Sequence, residues 1–310
     1  MSAQTKNYDS KGLQSAKPQI HGHRGARGHF PENTLDSVRF AIQSGAHAAE
    51  VDLCVSKDDV VVVHHDLALS PDIAIGPDNI RITTPIPIRK LLLRELERYD
   101  VGSLRPGSKY AARFAQQKPL PRSRIPTLDQ FIEYVLKFAD EDFILNLELK
   151  GDPDHPELIP SPRHYVSLVL HSIASYQITR RTFIQSFDWR LIKLVQRQAP
   201  EILAGLVTDL TSAGHHHLAS TGHDDPWTDG WSLADFDNSM PLMVASAGAP
   251  VWSTNYLDLS PKLVDEAHAL NLRVYAYTVN EEADMKKLIE WGVDAITTDY
   301  PDRLVKILAA

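Results

Sequence analysis

The sequence has one cysteine, Cys54, in 310 residues, so no intrachain disulfide can brace the fold. It has no run approaching the roughly 18 apolar residues of a membrane-spanning helix, which points away from stable membrane insertion. It lacks a basic surplus: 32 Lys and Arg face 40 Asp and Glu, for a formal net charge of −8. That argues against nucleic acid as the main partner, because binding a phosphate backbone needs a basic surface. A small anionic substrate stays open, since it needs only local positive charge. Met1–Pro18 is polar, without the apolar stretch of a secretory signal. It reads as a loose tail ahead of one domain spanning 19–310, in a cytoplasmic protein. No glycine-rich loop follows the first predicted strand, which weakens the case for a doubly wound open sheet.

What is present is a regular alternation of strand and helix patterns. Eight strand candidates stand out: Gln19–Gly25, His47–Leu53, Phe143–Lys150, Thr182–Phe187, Ile202–Thr208, Val251–Asn255, Arg273–Thr278 and Ala295–Asp299. Several are short apolar runs, as expected of strands covered on both faces. Between them lie amphipathic stretches such as Thr34–Ser44 and the one opened by Pro126-Thr127-Leu128-Asp129. Eight strands with interleaved helices predict an α/β fold, a (β/α)8 TIM barrel. Two regions depart from the repeat. One, about 55–124, begins with a β-hairpin turning at Asp58-Asp59 and continues as a small insertion after the second strand. A two-residue turn there would set His65 opposite Asp52. The other, about 211–239, is a long loop with His215-His216-His217, His223, Trp227 and Trp231. A solvated loop with packed tryptophans is favoured there over a second metal site.

Barrel enzymes gather their chemistry at the C-terminal ends of the strands, and the polar residues here fall in those places. Glu50 and Asp52 are two apart on one strand and so point to the same side. With Glu148 they make three hard oxygen ligands, suited to one divalent cation, Mg²⁺ or Ca²⁺, rather than to zinc. Arg24 and Lys150 are candidate phosphate holders, or charge balance for the carboxylates. His23 and His65 are the candidate general acid and base, with His64 expected on the opposite face. Gln185, Thr278, Asn280 and Asp299 occupy the remaining strand ends.

Together these residues resemble the glycerophosphodiester phosphodiesterase family. The resemblance rests on His23-Arg24-Gly25, Pro31-Glu32-Asn33-Thr34, Glu50-Val51-Asp52, His65-Asp66, Pro126-Thr127-Leu128, Glu148-Leu149-Lys150, Gln185-Ser186-Phe187 and Thr278-Val279-Asn280. It implies a TIM-barrel hydrolase with one divalent metal on Glu50, Asp52 and Glu148 and catalytic histidines at His23 and His65. Arg24, Lys150 and Gln185 would be near the substrate, and Glu32 would shape the first loop. The substrate would be a small glycerophosphodiester, split to glycerol 3-phosphate and an alcohol, with His65 favoured as the acid. The family often has Trp where this chain has Tyr277, which puts an altered residue near the substrate. A phospholipase D acting on lysophospholipids or sphingomyelin is the rival reading within enzymes, and a non-catalytic phosphate-binding barrel the rival outside them.

Overall fold

The computed structural model describes residues 17–210 and 225–310. Nearly all of the expected N-terminal tail, and His215–His217 with His223, lie outside the described residues. The strands in chain order are β1 (Gln19–Gly22), β2 (Ala48–Val55), β3 (Val61–Val63), β4 (Ala68–Leu69), β5 (Ile86–Pro87), β6 (Ile144–Leu149), β7 (Thr182–Ser186), β8 (Leu203–Thr208), β9 (Val251–Asn255), β10 (Arg273–Tyr277) and β11 (Ala295–Thr298). The helices are α1 (Leu35–Gln43), α2 (Leu93–Leu96), α3 (Lys109–Arg113), α4 (Leu128–Phe138), α5 (Pro162–Ser175), α6 (Trp189–Gln198), α7 (Met240–Ser246), α8 (Pro261–Ala269), α9 (Glu282–Glu290) and α10 (Pro301–Ala309). Among the described residues, no helix is long and apolar enough to cross a membrane.

Eight parallel strands form a closed cylinder in the order β1-β2-β6-β7-β8-β9-β10-β11. Closure is made by β1, which pairs with β2 through His21↔Ala48 and with β11 from Gln19↔Ala295 to Gly22↔Thr298. This is the (β/α)8 barrel that the strand count predicts. The helices start where local chemistry allows it. Thr34, Thr127, Asp188 and Ser260 each accept a bond from a backbone N–H of the first turn, and Pro261 and Pro301 open their helices. The α4 helix buries Leu128, Phe131, Ile132 and Val135 against the barrel, the face its spacing implies.

Inside the cylinder the side chains rise in layers of period two. Phe183, Val251, Tyr275 and Ala295 plug the end where the strands begin. Two residues on, polar pairs appear: His21 with Asn146 at 3.2 Å, and Gln185 accepting from Ser253 at 2.7 Å. Two residues further, the strand ends carry His23, Glu148, Phe187 and Tyr277 to the open mouth.

Two expectations need correction. The first strand stops at Gly22, not Gly25, because Arg24 and Gly25 take positive φ (49° and 81°) and turn the chain. The glycines here are required: a Cβ at Gly22 would stand 2.0 Å from the Gly25 carbonyl oxygen, and one at Gly25 would stand 2.6 Å from the Ser37 backbone. The hairpin register also differs by one. Its turn has three residues, Lys57-Asp58-Asp59, because Asp59 adopts the left-handed conformation (φ 62°). The pairs are Val55↔Val61 and Leu53↔Val63, and it is the His64 N–H that bonds the Asp52 carbonyl at 2.9 Å. The insertion that follows has its own small core, in which Cys54 is buried with Val62, Leu69, Ile88 and Leu96.

Candidate active site

The turn after β1 builds one wall of the mouth. With Arg24 left-handed, its backbone N–H points at Glu50 Oε2, 2.8 Å away. Its guanidinium bonds Glu32 Oε1 at 2.5 Å and lies 3.4 Å from Asp52 Oδ2. Asn33, also at positive φ, donates its amide to Asp52 Oδ2 at 2.9 Å and accepts the Asp52 N–H at 3.2 Å. Thr34 then caps α1. Thus Glu32, Asn33 and Thr34 respectively hold the arginine, hold the carboxylate and start the helix. Tyr110 of α3 reaches over from the insertion and donates to Glu32.

Glu50, Asp52 and Glu148 converge: each offers an oxygen within 4.8 Å of the others, and all three are buried. Burial, then Asp52 and Glu148, push the Glu50 carboxyl well above its ordinary range. Glu148 is raised too, chiefly by burial. Asp52 goes the other way: burial opposes ionisation, but Lys150 at 3.0 Å, with His65, Arg24 and Asn33, holds it well down. Lys150 also pairs with Glu148, and burial notwithstanding it stays charged because Asp52 and Glu148 face it. Glu50 Oε1 is buried with no hydrogen-bond partner. A buried carboxylate oxygen with nothing to accept from, beside two further carboxylates, is a costly arrangement that a bound dication would relieve. Three hard oxygen donors fit a divalent cation.

The histidines stand at either side. His23 Nε2 is 4.0 Å from Glu50 Oε2, and Nδ1 is 2.8 Å from Asp299 Oδ1. Asp299 is fully buried and held far below the usual carboxylate range by Arg27 and His23, against the cost of burial. An ionised carboxylate only accepts, so Nδ1 carries the proton and Nε2 keeps its lone pair toward the carboxylate cluster. The Arg27 Nη2 contact to Nδ1, 3.2 Å, then sets two donors face to face and is not a hydrogen bond. Arg27 and Asn280 fill the other positions on Asp299 at 2.7–3.1 Å. Burial, then Arg27, bring the His23 pKa down to about 4. His65, whose side chain is 34% exposed, bonds Asp66 Oδ1 at 2.7 Å. Burial of its inner edge, then Arg24 and Lys150, lower it to about 4. His64 is buried, with Nδ1 2.9 Å from the Asp66 carbonyl.

The other predicted residues lie further round. Gln185 is buried one layer below the mouth, bonded to Ser253. Tyr277 donates its hydroxyl to the Thr208 carbonyl at 2.6 Å, and its ring meets Phe187, centroids 6.1 Å apart, over which Lys150 sits. Trp227 packs: its carbonyl accepts from Trp189 and its indole N–H bonds Asp154. Arg27 and Asn33 were missed by sequence reasoning. Asn33 had a signal, its place between Glu32 and Thr34. Arg27 had none beyond being four residues after His23.

Comparison with known proteins identifies the family. The description of the glycerophosphoryl diester phosphodiesterase family matches residues 23–303. A glycerophosphodiester phosphodiesterase of Caldanaerobacter subterraneus subsp. tengcongensis is 26% identical over 297 residues, covering 94% of this chain and 98% of that protein. A candidate glycerophosphoryl diester phosphodiesterase of Silicibacter pomeroyi DSS-3 superposes with a TM-score of 0.84 at 32% identity, over 96% of both chains. A phosphodiesterase of Oleispira antarctica, in complex with the product sn-glycerol-3-phosphate, does so with a TM-score of 0.67 at 25% identity, over 96% of this chain and 100% of that one. By its sequence, its barrel and the residues at its mouth, this chain belongs to the glycerophosphoryl diester phosphodiesterase family.

Proposed function

We propose that the chain hydrolyses glycerophosphodiesters to glycerol 3-phosphate and the free alcohol, with Mg²⁺ or Ca²⁺ on Glu50, Asp52 and Glu148. The observation that carries this reading is the meeting of those three carboxylates within 4.8 Å, with His23 and His65 at their edges. A cation held there would supply positive charge against the phosphoryl oxygens and acidify the attacking oxygen, that of water or of the glycerol 2-hydroxyl, whose cyclic phosphate water would then open. Arg24 and Lys150 add fixed positive charge beside it, aimed at a phosphate that brings its own negative charge. His23 is the base: neutral at pH 7, its proton fixed on Nδ1 by Asp299, it takes the nucleophile's proton at Nε2. His65 is the acid. Its exposed edge lets it load a proton from solvent, and the arriving phosphate anion favours its charged form. It then protonates the leaving alkoxide. Tyr277 and Phe187 face the organic part of the substrate, with Gln185 in the layer beneath.

The test is release of glycerol 3-phosphate from glycerophosphocholine and glycerophosphoethanolamine, compared with release of choline from lysophosphatidylcholine. Each is run with chelator and with Mg²⁺ or Ca²⁺ restored. Hydrolysis of the water-soluble diesters, abolished by chelator and recovered on add-back, is the expected result. Faster cleavage of lysophosphatidylcholine would make the chain a phospholipase D instead. Full activity in chelator would overturn the metal assignment.

A further inference from the structure

The overall acidity conceals a local reversal. Between Arg81 and Arg124 there are eleven Lys and Arg against three Asp and Glu, a surplus of eight positive charges. The whole chain carries −8, so everything outside this stretch carries −16. Nine of the eleven basic residues are exposed, whereas Glu97 is the one exposed acid of the stretch. Among the described residues, only Arg89 and Arg105 of the eleven form ion pairs, with Asp59 and Asp72. Eight of the nine exposed ones form no ion pair among the described residues, while the half-buried Arg81 donates to the Ser103 carbonyl.

Their placement is collective. Arg94 and Arg98 lie one turn apart along and just beyond α2. Arg124 donates to the carbonyls of Arg98 and Tyr99 at 3.3 and 3.0 Å, and the Arg122 N–H bonds Asp100 at 2.7 Å, which draws 122–124 beside 98–100. The α3 arm sets Lys109 and Arg113 next to the barrel mouth, where Tyr110 meets Glu32. These side chains project from separate turns into solvent and do not converge, so they form no chelating site for one small anion. Dispersed exposed cations suit an extended anionic surface, to which each contributes separately. Ile80, 65% exposed beside Arg81, is the most exposed large apolar side chain among the described residues, and it favours a surface with an apolar layer beneath its charge. At physiological salt, fields fade over about 8 Å, so of the acidic remainder the carboxylates beside this stretch count most: Asp59 and Asp72, paired with Arg89 and Arg105, and Asp58 and Asp78 offset four of the eight charges and leave the stretch basic.

We infer that the basic face of the insertion docks on an anionic phospholipid bilayer and holds the barrel mouth close to it. Only the purpose of that docking rests on the hydrolase reading; the surface itself does not.

The experiment co-sediments the full-length protein, in chelator, with phosphatidylcholine vesicles with or without phosphatidylglycerol, at low and high salt. Binding is expected on the phosphatidylglycerol vesicles alone and is lost at high salt. Each cation near such a surface is worth about fivefold in partition. The combined variant Lys90→Gln, Arg94→Gln, Arg98→Gln, Arg122→Gln should therefore bind at least ~30-fold more weakly. Its melting temperature and its turnover of a soluble diester should match wild type. Equal binding to both vesicle types, or wild-type binding by the variant, overturns the inference. So does preferential transfer from vesicles to duplex DNA at equal phosphate, which would make the partner a nucleic acid. Loss of hydrolysis on every diester would sink the catalytic reading and leave vesicle binding untouched.

Discussion

Replacing Asp299 with Asn changes almost no volume and tests the orientation of His23 directly. In the native structure four donors converge on two oxygens: His23 Nδ1 and Arg27 Nε on Oδ1, each at 2.8 Å, and Arg27 Nη2 and Asn280 Nδ2 on Oδ2, at 3.1 and 2.7 Å. An amide has one accepting oxygen. Whichever way it lies, its NH₂ faces two donors. If it faces His23, the imidazole must accept at Nδ1, and its proton moves to Nε2, where a base needs a lone pair. If it faces Arg27 and Asn280, the tautomer survives, but the imidazolium formed during proton transfer loses its counter-charge while Arg27 stays buried nearby. General acid–base catalysis is worth about 10²–10⁴ in rate, and the equivalent change in a serine-protease triad costs about 10⁴. The expected loss in kcat is therefore ~10²–10⁴, or about 3–5 kcal/mol of barrier. KM should move little, because Asp299 is fully buried and touches no substrate. The assay is initial-rate release of glycerol 3-phosphate at saturating metal, with circular dichroism to verify the fold. A folded Asp299→Asn protein with kcat close to wild type would refute the reasoning.

Other outcomes follow from the same geometry. His21 is fully buried and its pKa is lowered to about 3 by burial and then His47. The unfolded chain binds that proton at higher pH than the native one, so stability is full above about pH 6.5 and falls as pH drops toward 3. The loss is on the order of 4 kcal/mol, and urea midpoints against pH for wild type and His21→Gln should separate over that window. Glu50 titrates in the opposite sense: its pKa is raised by burial and by Asp52 and Glu148, so the metal-free protein loses stability as pH rises above the ordinary carboxylate range. Glu50→Gln should raise the melting temperature in chelator yet erase the rise that metal gives wild type, about 2.7 kcal/mol at a concentration 100 times the Kd. Equal metal-induced shifts in both proteins would contradict the ligand assignment. Trp227→Phe should cost about 1 kcal/mol in denaturant unfolding, the worth of the bond to Asp154, with kcat/KM unchanged. A large fall in kcat/KM would place Trp227 in substrate binding.

Much of the site was legible because a barrel converts sequence position into location. Glu50 and Asp52 sit at a strand end with period-two spacing, and the direct parallel pairing of β2 with β6 sets Asp52 beside Glu148, 96 positions away. The hairpin register was not legible. It depended on Asp59 accepting a left-handed conformation, which aspartate tolerates but does not announce. The support beneath His23 was half legible. Asp299 ended a predicted strand, but nothing local marks Arg27 as its partner, 272 positions away. Nor does the pattern of Thr278-Val279-Asn280 say that the Asn280 amide turns toward the same carboxylate. Contacts between distant loops carry no periodicity, and these were set by the shape of the mouth. The charge reversal in 81–124 was present in the sequence throughout, hidden by summing over the whole chain.

Closure of the barrel by β1 has a temporal consequence. His23 follows the first strand of the barrel to be made, and its anchor Asp299 follows the last, so the two ends of the barrel must meet before the base is aligned. A nascent chain stalled short of Asp299 would already possess all three acidic carboxylates of the mouth and still lack the partner that orients His23. Alignment of the histidine is thereby tied to a completed barrel, and a chain clipped ahead of the barrel's last strand is a disarmed one.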